Sequence, residues 1–470
     1  MNEKLEQFKK EIKGKKISII GIGTSNIPAI FYFDKLGANI VARDKNEELL
    51  SLHPELNELK NVTYQLGESY LEGLENEDYI LRSPGIKPFL KEIEEAQAKG
   101  VILTSELELV LALAPCPIIG ITGSAGKTTT VTLIGEMLKK SHKKIWVGGN
   151  IGTPLLTQVE EMKKEDLVVL ELSSFQLMTV KQSPNISLIT NIYEDHLDYH
   201  RSFEEYVMAK VNIFTHQKEG DICILNEDDS FYERFLKLKE EKAPASKLIT
   251  FSTKKVPQKG VYLNKDVICT NLSEKEEKII SIHKLHLIGE KNYANVCSAI
   301  CAVYPFVDVE SIQETLENFK GVEHRLEFVA QKEGVKYYND SISTTPGKAM
   351  AAFTSFSQKI ILIAGGSDKN LDYTPVGEAM NRCAKILILL GNTKEKIKEA
   401  VIHARNYDKA LLEIYEVTSM EEAVMLAHKL AKEKDIVVMS PASASFDLYA
   451  NYKERGKHFK SLVEKLPEEK

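Results

Sequence analysis

Short apolar runs alternate along this chain with longer stretches in which apolar residues recur every three to four positions. The first pattern suits a strand buried on both faces, the second a helix with one buried side. Taken in order they predict α/β units with largely parallel sheets. In the first unit KISII (16–20) reads as a strand, followed by Gly21-Ile22-Gly23 and a helix through about Leu36. NIVA (39–42) makes a second strand ending at Arg43-Asp44. DYIL (78–81) makes a third, closed by the turn Ser83-Pro84-Gly85 before a Glu- and Lys-rich helix at 88–99. A second unit begins near Ser105 and carries strands PIIGIT (117–122), KIWVG (144–148), LVVLEL (167–172) and ISLITNI (186–192). Residues 252–285 read as antiparallel strands with lysine-rich turns. The third unit, from about Gly321, has KIILIAGG (359–366), KILILLG (385–391) and DIVVMSPA (435–442), separated by helices.

A chain of 470 residues is too long for one core. The patterning divides it into three domains: 1–103, Rossmann-like; 104–320, with a mostly parallel sheet around a phosphate loop; and 321–470, again Rossmann-like. An apolar fraction of 43% with 27% charged residues is that of a soluble globular protein. The net charge of −7, with Lys and Arg spread throughout, excludes a nucleic-acid footprint. Cysteines 116, 223, 269, 297, 301 and 383 form no Cys-x-x-Cys pair, and such scatter points to a reducing compartment. The first residues, MNEKLEQFKKEIKGKK, lack the apolar core of a signal peptide, and no run approaches the ~20 residues of a membrane span. A cytoplasmic protein with no membrane partner, acting as a monomer, is expected.

The strongest local signal is Gly120-Ile121-Thr122-Gly123-Ser124-Ala125-Gly126-Lys127-Thr128-Thr129-Thr130, between a buried strand and a helix. Glycines there let backbone N–H groups form a concave cradle for phosphate oxygens, with Lys127 a mobile charge and the Thr128 hydroxyl a Mg²⁺ ligand. A Gly-rich turn that merely joins strand to helix is the bland alternative, and the Gly-Lys-Thr-Thr ending disfavours it. The spacing departs from the usual phosphate loop, because Ile121 stands where the first glycine belongs. Glu171 ends an apolar strand, where a carboxylate faces the crevice that holds ligands in open α/β sheets. Read alone, His196 is more often a structural histidine, and Lys210 a surface lysine of a helix.

The loop Gly-x-Thr-Gly-Ser-x-Gly-Lys-Thr-Thr resembles that of the Mur ligases and the folylpolyglutamate synthetases, and the likeness to the Mur ligases continues, in order, through nearly the whole chain. It rests on GGNIG (148–152), ELSSFQL (171–177), Thr190-Asn191-Ile192-Tyr193-Glu194-Asp195-His196, the Ala-Lys at 209–210, Asn292 and Asn295, His324-Arg325, Asn339-Asp340-Ser341 and SPASASFD (440–447). The resemblance implies an ATP-dependent ligase that activates a carboxylate as an acyl phosphate and joins it to an amine. Its implied substrates are UDP-N-acetylmuramoyl-L-alanine and glutamate, expected as the D enantiomer, in peptidoglycan precursor synthesis.

Residue by residue, the resemblance implies ATP at Gly123, Ser124, Ala125, Gly126, Lys127, Thr128, Thr129, Asn292, Asn295, Arg325 and Asp340. It implies two Mg²⁺ ions at Thr128, Glu171, His196 and a Lys210 carbamylated by CO₂, with Lys127, Glu171, His196 and Lys210 carrying the catalysis. The UDP substrate would lie on Ser25, Asn26, Asp44, Ser83, Pro84, Gly85, Asn150 and Ser173. The amino acid would lie on Thr344, Lys369, Ser445, Phe446 and Tyr452. Two departures stand out: Lys291 replaces a histidine, and Ile342 stands where the family commonly has a lysine near the amino acid. The second leaves D- against L-glutamate open. Without an Asp-Asn-Pro-Arg sequence, addition of a diamino acid is disfavoured. A superfamily ligase with another acceptor, and a phosphate-loop ATPase or regulatory module without amide chemistry, are the alternatives.

Overall fold

The chain's structure is a computed structural model that describes residues 2–59 and 61–468. Its first sheet has strands β1 (Lys16–Ile20), β2 (Asn39–Asp44), β3 (Val62–Leu66), β4 (Tyr79–Arg82) and β5 (Ile102–Thr104), in the order β3-β2-β1-β4-β5. All neighbours are parallel. The chain leaves β1 towards β2 on one side and returns to β4 on the other, so a crevice opens where β1 and β4 end. Gly21 follows β1 and Ser83 follows β4; a Cβ on Gly21, at φ +78°, would lie 2.9 Å from the Ser83 Cβ. β3 and β5 escape the sequence pattern. The first is a half-buried edge strand and the second has three residues, too few to show a period.

The second sheet comprises β6 (Ile118–Thr122), β7 (Ile145–Gly149), β8 (Leu167–Glu171), β9 (Ile186–Ile189), β10 (Ile222–Asn226), β11 (Lys247–Ser252), β12 (Gly260–Asn264), β13 (Val267–Thr270) and β14 (Glu277–Ser281). Their order is β14-β13-β12-β11-β10-β9-β6-β8-β7. From β7 to β12 neighbours run parallel, and β12 and β13 form an antiparallel hairpin. β6 and β8 bury every residue, which is why their sequences read as unbroken apolar runs. β9 stops at Ile189, short of the expected 192. Thr190 and Asn191 leave the ladder and turn their side chains to the loop after β6.

The third sheet has β15 (Glu327–Lys332), β16 (Val335–Asn339), β17 (Ile360–Gly365), β18 (Ala384–Leu390), β19 (Glu413–Glu416) and β20 (Ile436–Met439), ordered β15-β16-β20-β17-β18-β19. Only β15 is antiparallel to its neighbour. The α/β class with three sheets is thus as the sequence predicts.

Two compact units result. One takes the chain up to Ile280 together with Ala294–Thr315, and so holds the first two sheets. The other takes Ser281–Tyr293 and the chain from Leu316. In the first unit one apolar core runs without a break from Ile17 and Ile19 under the first sheet to Val168 and Leu170 in the second. Among the described residues, no helix is long and apolar enough to cross a membrane. The six cysteines are free thiols.

Candidate active site

The phosphate loop owes its shape to two glycines. Gly123 adopts φ +148°, and a Cβ there would lie 1.9 Å from the Thr190 hydroxyl. Gly126, at φ +86°, would bring one 2.3 Å from Asn295 Oδ1. From the end of β9 the loop is propped at three points. Asn191 accepts from the Ser124 N–H through its carbonyl (2.9 Å) and from the Ala125 N–H through Oδ1 (2.9 Å), and the Thr190 hydroxyl donates to the Ala125 carbonyl (2.6 Å). With Ser124 and Ala125 engaged this way, the N–H groups for an anion are those opening the helix Lys127–Leu138, whose first turn has no intrahelical acceptors. Lys127 donates to the Gly123 carbonyl at 2.7 Å and to that of Ser124 at 3.3 Å.

Glu171 ends β8 beside Ile121 of β6 and is 2% exposed. Asn150 donates to its Oε1 at 3.0 Å, while its Oε2 is buried with no hydrogen-bond partner. A buried carboxylate oxygen without a donor is costly, and a bound cation removes that cost. This oxygen fits a Mg²⁺ ion, which prefers oxygen ligands and keeps several waters. No group of three or more His, Cys, Asp or Glu that could hold a metal occurs among the described residues. Ser173 caps the short helix Ser174–Leu177 in a reciprocal capping box with Gln176.

Lys210 lies on the helix Phe203–Val211 and is 2% exposed. The sequence alone makes it a surface lysine; the structure buries it. Its Nζ donates to the same Gly123 carbonyl that Lys127 uses (3.0 Å) and lies 4.7 Å over the Tyr206 ring. Burial, and then the nearby Lys127 cation, push its pKa well down, against the attraction of Asp195 and Glu171. Burial thus favours the neutral amine over the ammonium. His196 is half exposed and adopts the left-handed φ of +54°; its ring meets Phe175 edge-on at 5.0 Å. The sequence reading missed His200. That residue is buried, hydrogen-bonded through Nε2 to the Ser174 hydroxyl (2.9 Å) and stacked on Phe175. The only sequence signal for it is a second histidine in the Asp-His-Leu-Asp-Tyr-His segment.

In the first sheet, Asp44 accepts from the Ile22 N–H at 2.6 Å and so shapes the turn after β1. Asn26 is buried, donates to the carbonyls of Ile20 and Gly21, and leaves Oδ1 without a partner. Ser25 precedes the helix Asn26–Lys35 without capping it through its side chain. Ser83, Pro84 and Gly85 form the turn after β4, across the crevice mouth.

In the second unit the loops after β16, β17, β18 and β20 converge. Arg455 ties those after β16 and β20: it is 2% exposed, donates from Nε to the Ser341 hydroxyl (3.0 Å), from Nη2 to the Ser341 carbonyl (2.9 Å), and from Nη1 to the carbonyls of Ser443 (3.1 Å) and Ala444 (2.9 Å). Nothing in its Lys- and Glu-rich helix announces this role. Asp340 accepts from Ser440 Oγ (2.7 Å) and the Leu326 N–H (3.2 Å), and burial raises its pKa to about 6. Arg325 is exposed. Lys369 lies 5.3 Å over the ring of Phe446, which is 65% exposed. Ser445 is buried, Thr344 half-buried in the turn after Ile342, and Tyr452 accepts from the Ser341 hydroxyl through its carbonyl (2.7 Å). Asn292 bonds the Ile288 carbonyl at 2.8 Å, whereas Asn295 packs on Gly126 in the first unit.

Residues 15–105 match the family description "Mur ligase MurD-like, N-terminal domain", 121–303 "Mur ligase middle domain", and 324–443 "Mur ligase, glutamate ligase domain". The chain is 44% identical over 468 residues to a protein of Clostridium botulinum strain 657 named UDP-N-acetylmuramoylalanine--D-glutamate ligase, covering 99% of this chain and 100% of that one. The chain belongs to the Mur ligase family. A ligase of the same name from Acetivibrio thermocellus is 43% identical over 470 residues, with 99% and 100% covered. Two solved Mur ligases share the fold at 18% identity. They are a UDP-N-acetylmuramoyl-L-alanyl-D-glutamate--2,6-diaminopimelate ligase (TM-score 0.55; 92% of this chain, 87% of that) and the UDP-N-acetylmuramate-alanine ligase MurC of Thermotoga maritima (0.53; 96% and 99%).

As a Mur ligase the chain is an ATP-dependent, amide-forming enzyme. The phosphate loop is therefore part of a ligase, and the alternative of a regulatory nucleotide-binding module falls away. The family's use of ATP and Mg²⁺ agrees with the fit of the Glu171 carboxylate to a cation.

Proposed function

We propose that this Mur ligase joins D-glutamate to UDP-N-acetylmuramoyl-L-alanine through an acyl phosphate. The observation that carries the reading is the partnerless Oε2 of buried Glu171 beside the phosphate loop, in a chain 44% identical over nearly its whole length to D-glutamate ligases. Ser25, Asn26, Asp44 and the turn Ser83-Pro84-Gly85 hold the UDP end. Asn150 and Ser173 hold the part that bears the alanine carboxylate. The N–H groups opening the helix at Lys127 bind the ATP phosphates, Lys127 adds its charge, and Asn292, Asn295, Arg325 and Asp340 serve the rest of the nucleotide.

Thr128 and Glu171 would hold one Mg²⁺ and His196 with carbamylated Lys210 a second, which together would neutralise the phosphate oxygens. Glu171 is fixed for this by Asn150, and Lys210 by its burial beside Gly123. The alanine carboxylate attacks the γ-phosphorus and ADP leaves. The amine of glutamate then attacks the acyl carbon, and inorganic phosphate departs with its electron pair. Lys369, Ser445, Phe446, Thr344 and Tyr452 present that amine. Excluding water from the acyl phosphate protects it from hydrolysis. Ile342 occupies the family's usual lysine position, which leaves Lys369 the cation for a glutamate carboxylate.

The test is ADP release with UDP-N-acetylmuramoyl-L-alanine present and D-glutamate, L-glutamate or neither added. Turnover with the D enantiomer alone is expected. Equal turnover with L-glutamate contradicts the amino-acid assignment, and ADP release that needs no amino acid contradicts the ligase reading of this site.

A further inference from the structure

Arg82 closes β4 with no solvent exposure, and it forms no ion pair. Its hydrogen-bond partners are all neutral acceptors, although the buried Glu108 carboxylate lies near enough to attract it. Nη1 donates to the carbonyls of Ile86 (2.5 Å), Ser83 (3.3 Å) and Pro84 (3.4 Å) and to the Tyr199 hydroxyl (3.4 Å), Nη2 donates to the Phe175 carbonyl (3.0 Å), and Nε has no acceptor. Burying a guanidinium without a hydrogen-bonded carboxylate is costly, so packing alone does not explain an arginine here. What it does geometrically is join three segments. These are the turn that the proposed function gives to the UDP substrate (83–86), the start of the short helix after Glu171 (Phe175), and the loop carrying His196 (196–200).

Tyr199 makes the same connection from the other side. Its hydroxyl bonds the carbonyls of Pro84 (2.8 Å) and Ile86 (3.0 Å), and its ring lies 4.1 Å from that of Phe175. Lys87 adds a third tie by donating to the Asp198 carbonyl (3.2 Å), with its ammonium 5.5 Å over the Tyr199 ring. Phe175 in turn carries the rings of His196 and His200. The turn after β4 and the proposed metal-side loop are thus one cluster, with the Arg82 side chain wholly withdrawn from water.

We infer that Arg82 is a positioning residue: it fixes the distance between the loop that delivers the substrate carboxylate and the loop beside the transferred phosphate. A planar fork suits this, because it reaches Ile86 and Phe175 from two nitrogens at once; a lysine offers one point. The inference rests on the reaction proposed above, since it presumes that the turn 83–86 carries the UDP substrate.

The test uses the full chain with Arg82→Lys, Arg82→Met and Tyr199→Phe, each substrate varied in turn, with melting recorded in parallel. A misplacement of about 1 Å costs on the order of 100-fold in rate. Arg82→Lys is therefore expected to lower kcat by about that factor and to raise KM for the UDP substrate, with KM for ATP within about 2-fold of the wild type. Tyr199→Phe should show the same split more weakly. The two changes combined should cost less than the product of their separate effects, because they act on one joint. If Arg82→Met does not fold, the other two variants decide. Folded variants with unchanged kcat and UDP-substrate KM overturn the inference, as does a loss that falls equally on all three KM values. If the wild type itself shows no glutamate-dependent turnover, the proposed function fails instead.

Discussion

The crevice at the phosphate loop and the crevice of the third sheet are built alike, from small-residue loops at the carboxyl ends of parallel strands, yet they treat charge in opposite ways. Around the phosphate loop, charge is crowded. Glu171 keeps a buried oxygen without a donor, and Lys127 and Lys210 crowd one carbonyl. In the third sheet charge is consumed internally: Arg455 spends its donors on the carbonyls of Ser341, Ser443 and Ala444, and Asp340 is met by Ser440 and the Leu326 N–H. A site that keeps a buried carboxylate oxygen without a donor is preorganised for a cation. One that satisfies its own charge is a frame that holds loops in place.

The contrast predicts that substitution of Lys210 or Glu171 costs activity, whereas substitution of the framing Arg455 costs stability. Lys210→Ala is expected to lose on the order of 1,000-fold or more in kcat, with partial rescue by short carboxylic acids. Its melting temperature should hold or rise, because a buried polar group is gone. Absence of rescue would leave the carbamate without support. Glu171→Gln should cost about 100-fold in kcat, again without loss of stability. Unfolding of this variant at a lower denaturant concentration would break the comparison. Arg455→Met should act the other way, removing about 4 kcal/mol by stranding buried carbonyls; denaturant unfolding measures it.

The smallest effect is a pH dependence at Asp340. Burial raises its pKa to about 6, so the folded state favours the neutral acid. The stability this gives is present below the ordinary carboxyl range near 4 and is lost as pH rises through about 6. The stability of the wild type relative to Asp340→Asn should therefore fall between about pH 4 and pH 6, by at most about 3 kcal/mol. A flat difference across that window would contradict the assignment.

The same contrast explains what the sequence could reveal. The central strands were legible because burial on both faces writes an unbroken apolar run, and the phosphate loop because its glycines are required by backbone angle and close contact. Glu171 was legible as a charge ending such a run. Arg82 carries the same signal, at the end of Tyr-Ile-Leu-Arg, but only the fold shows it bridging to Phe175 and Tyr199. Lys210 and Arg455 each sit in a helix whose charged positions look alike in sequence, and tertiary packing alone decides which is buried. Their burial depends on partners 87 and 114 positions away, at Gly123 and Ser341. β3 and β5 lie at sheet edges, where the apolar pattern that marks a buried strand is weakest.

The central claim, activation of a carboxylate as an acyl phosphate, is tested most directly with oxygen-18 in the alanine carboxylate of UDP-N-acetylmuramoyl-L-alanine. After one turnover with ATP and D-glutamate, one labelled oxygen should appear in the released inorganic phosphate. Phosphate free of label, with amide product formed, would contradict the account.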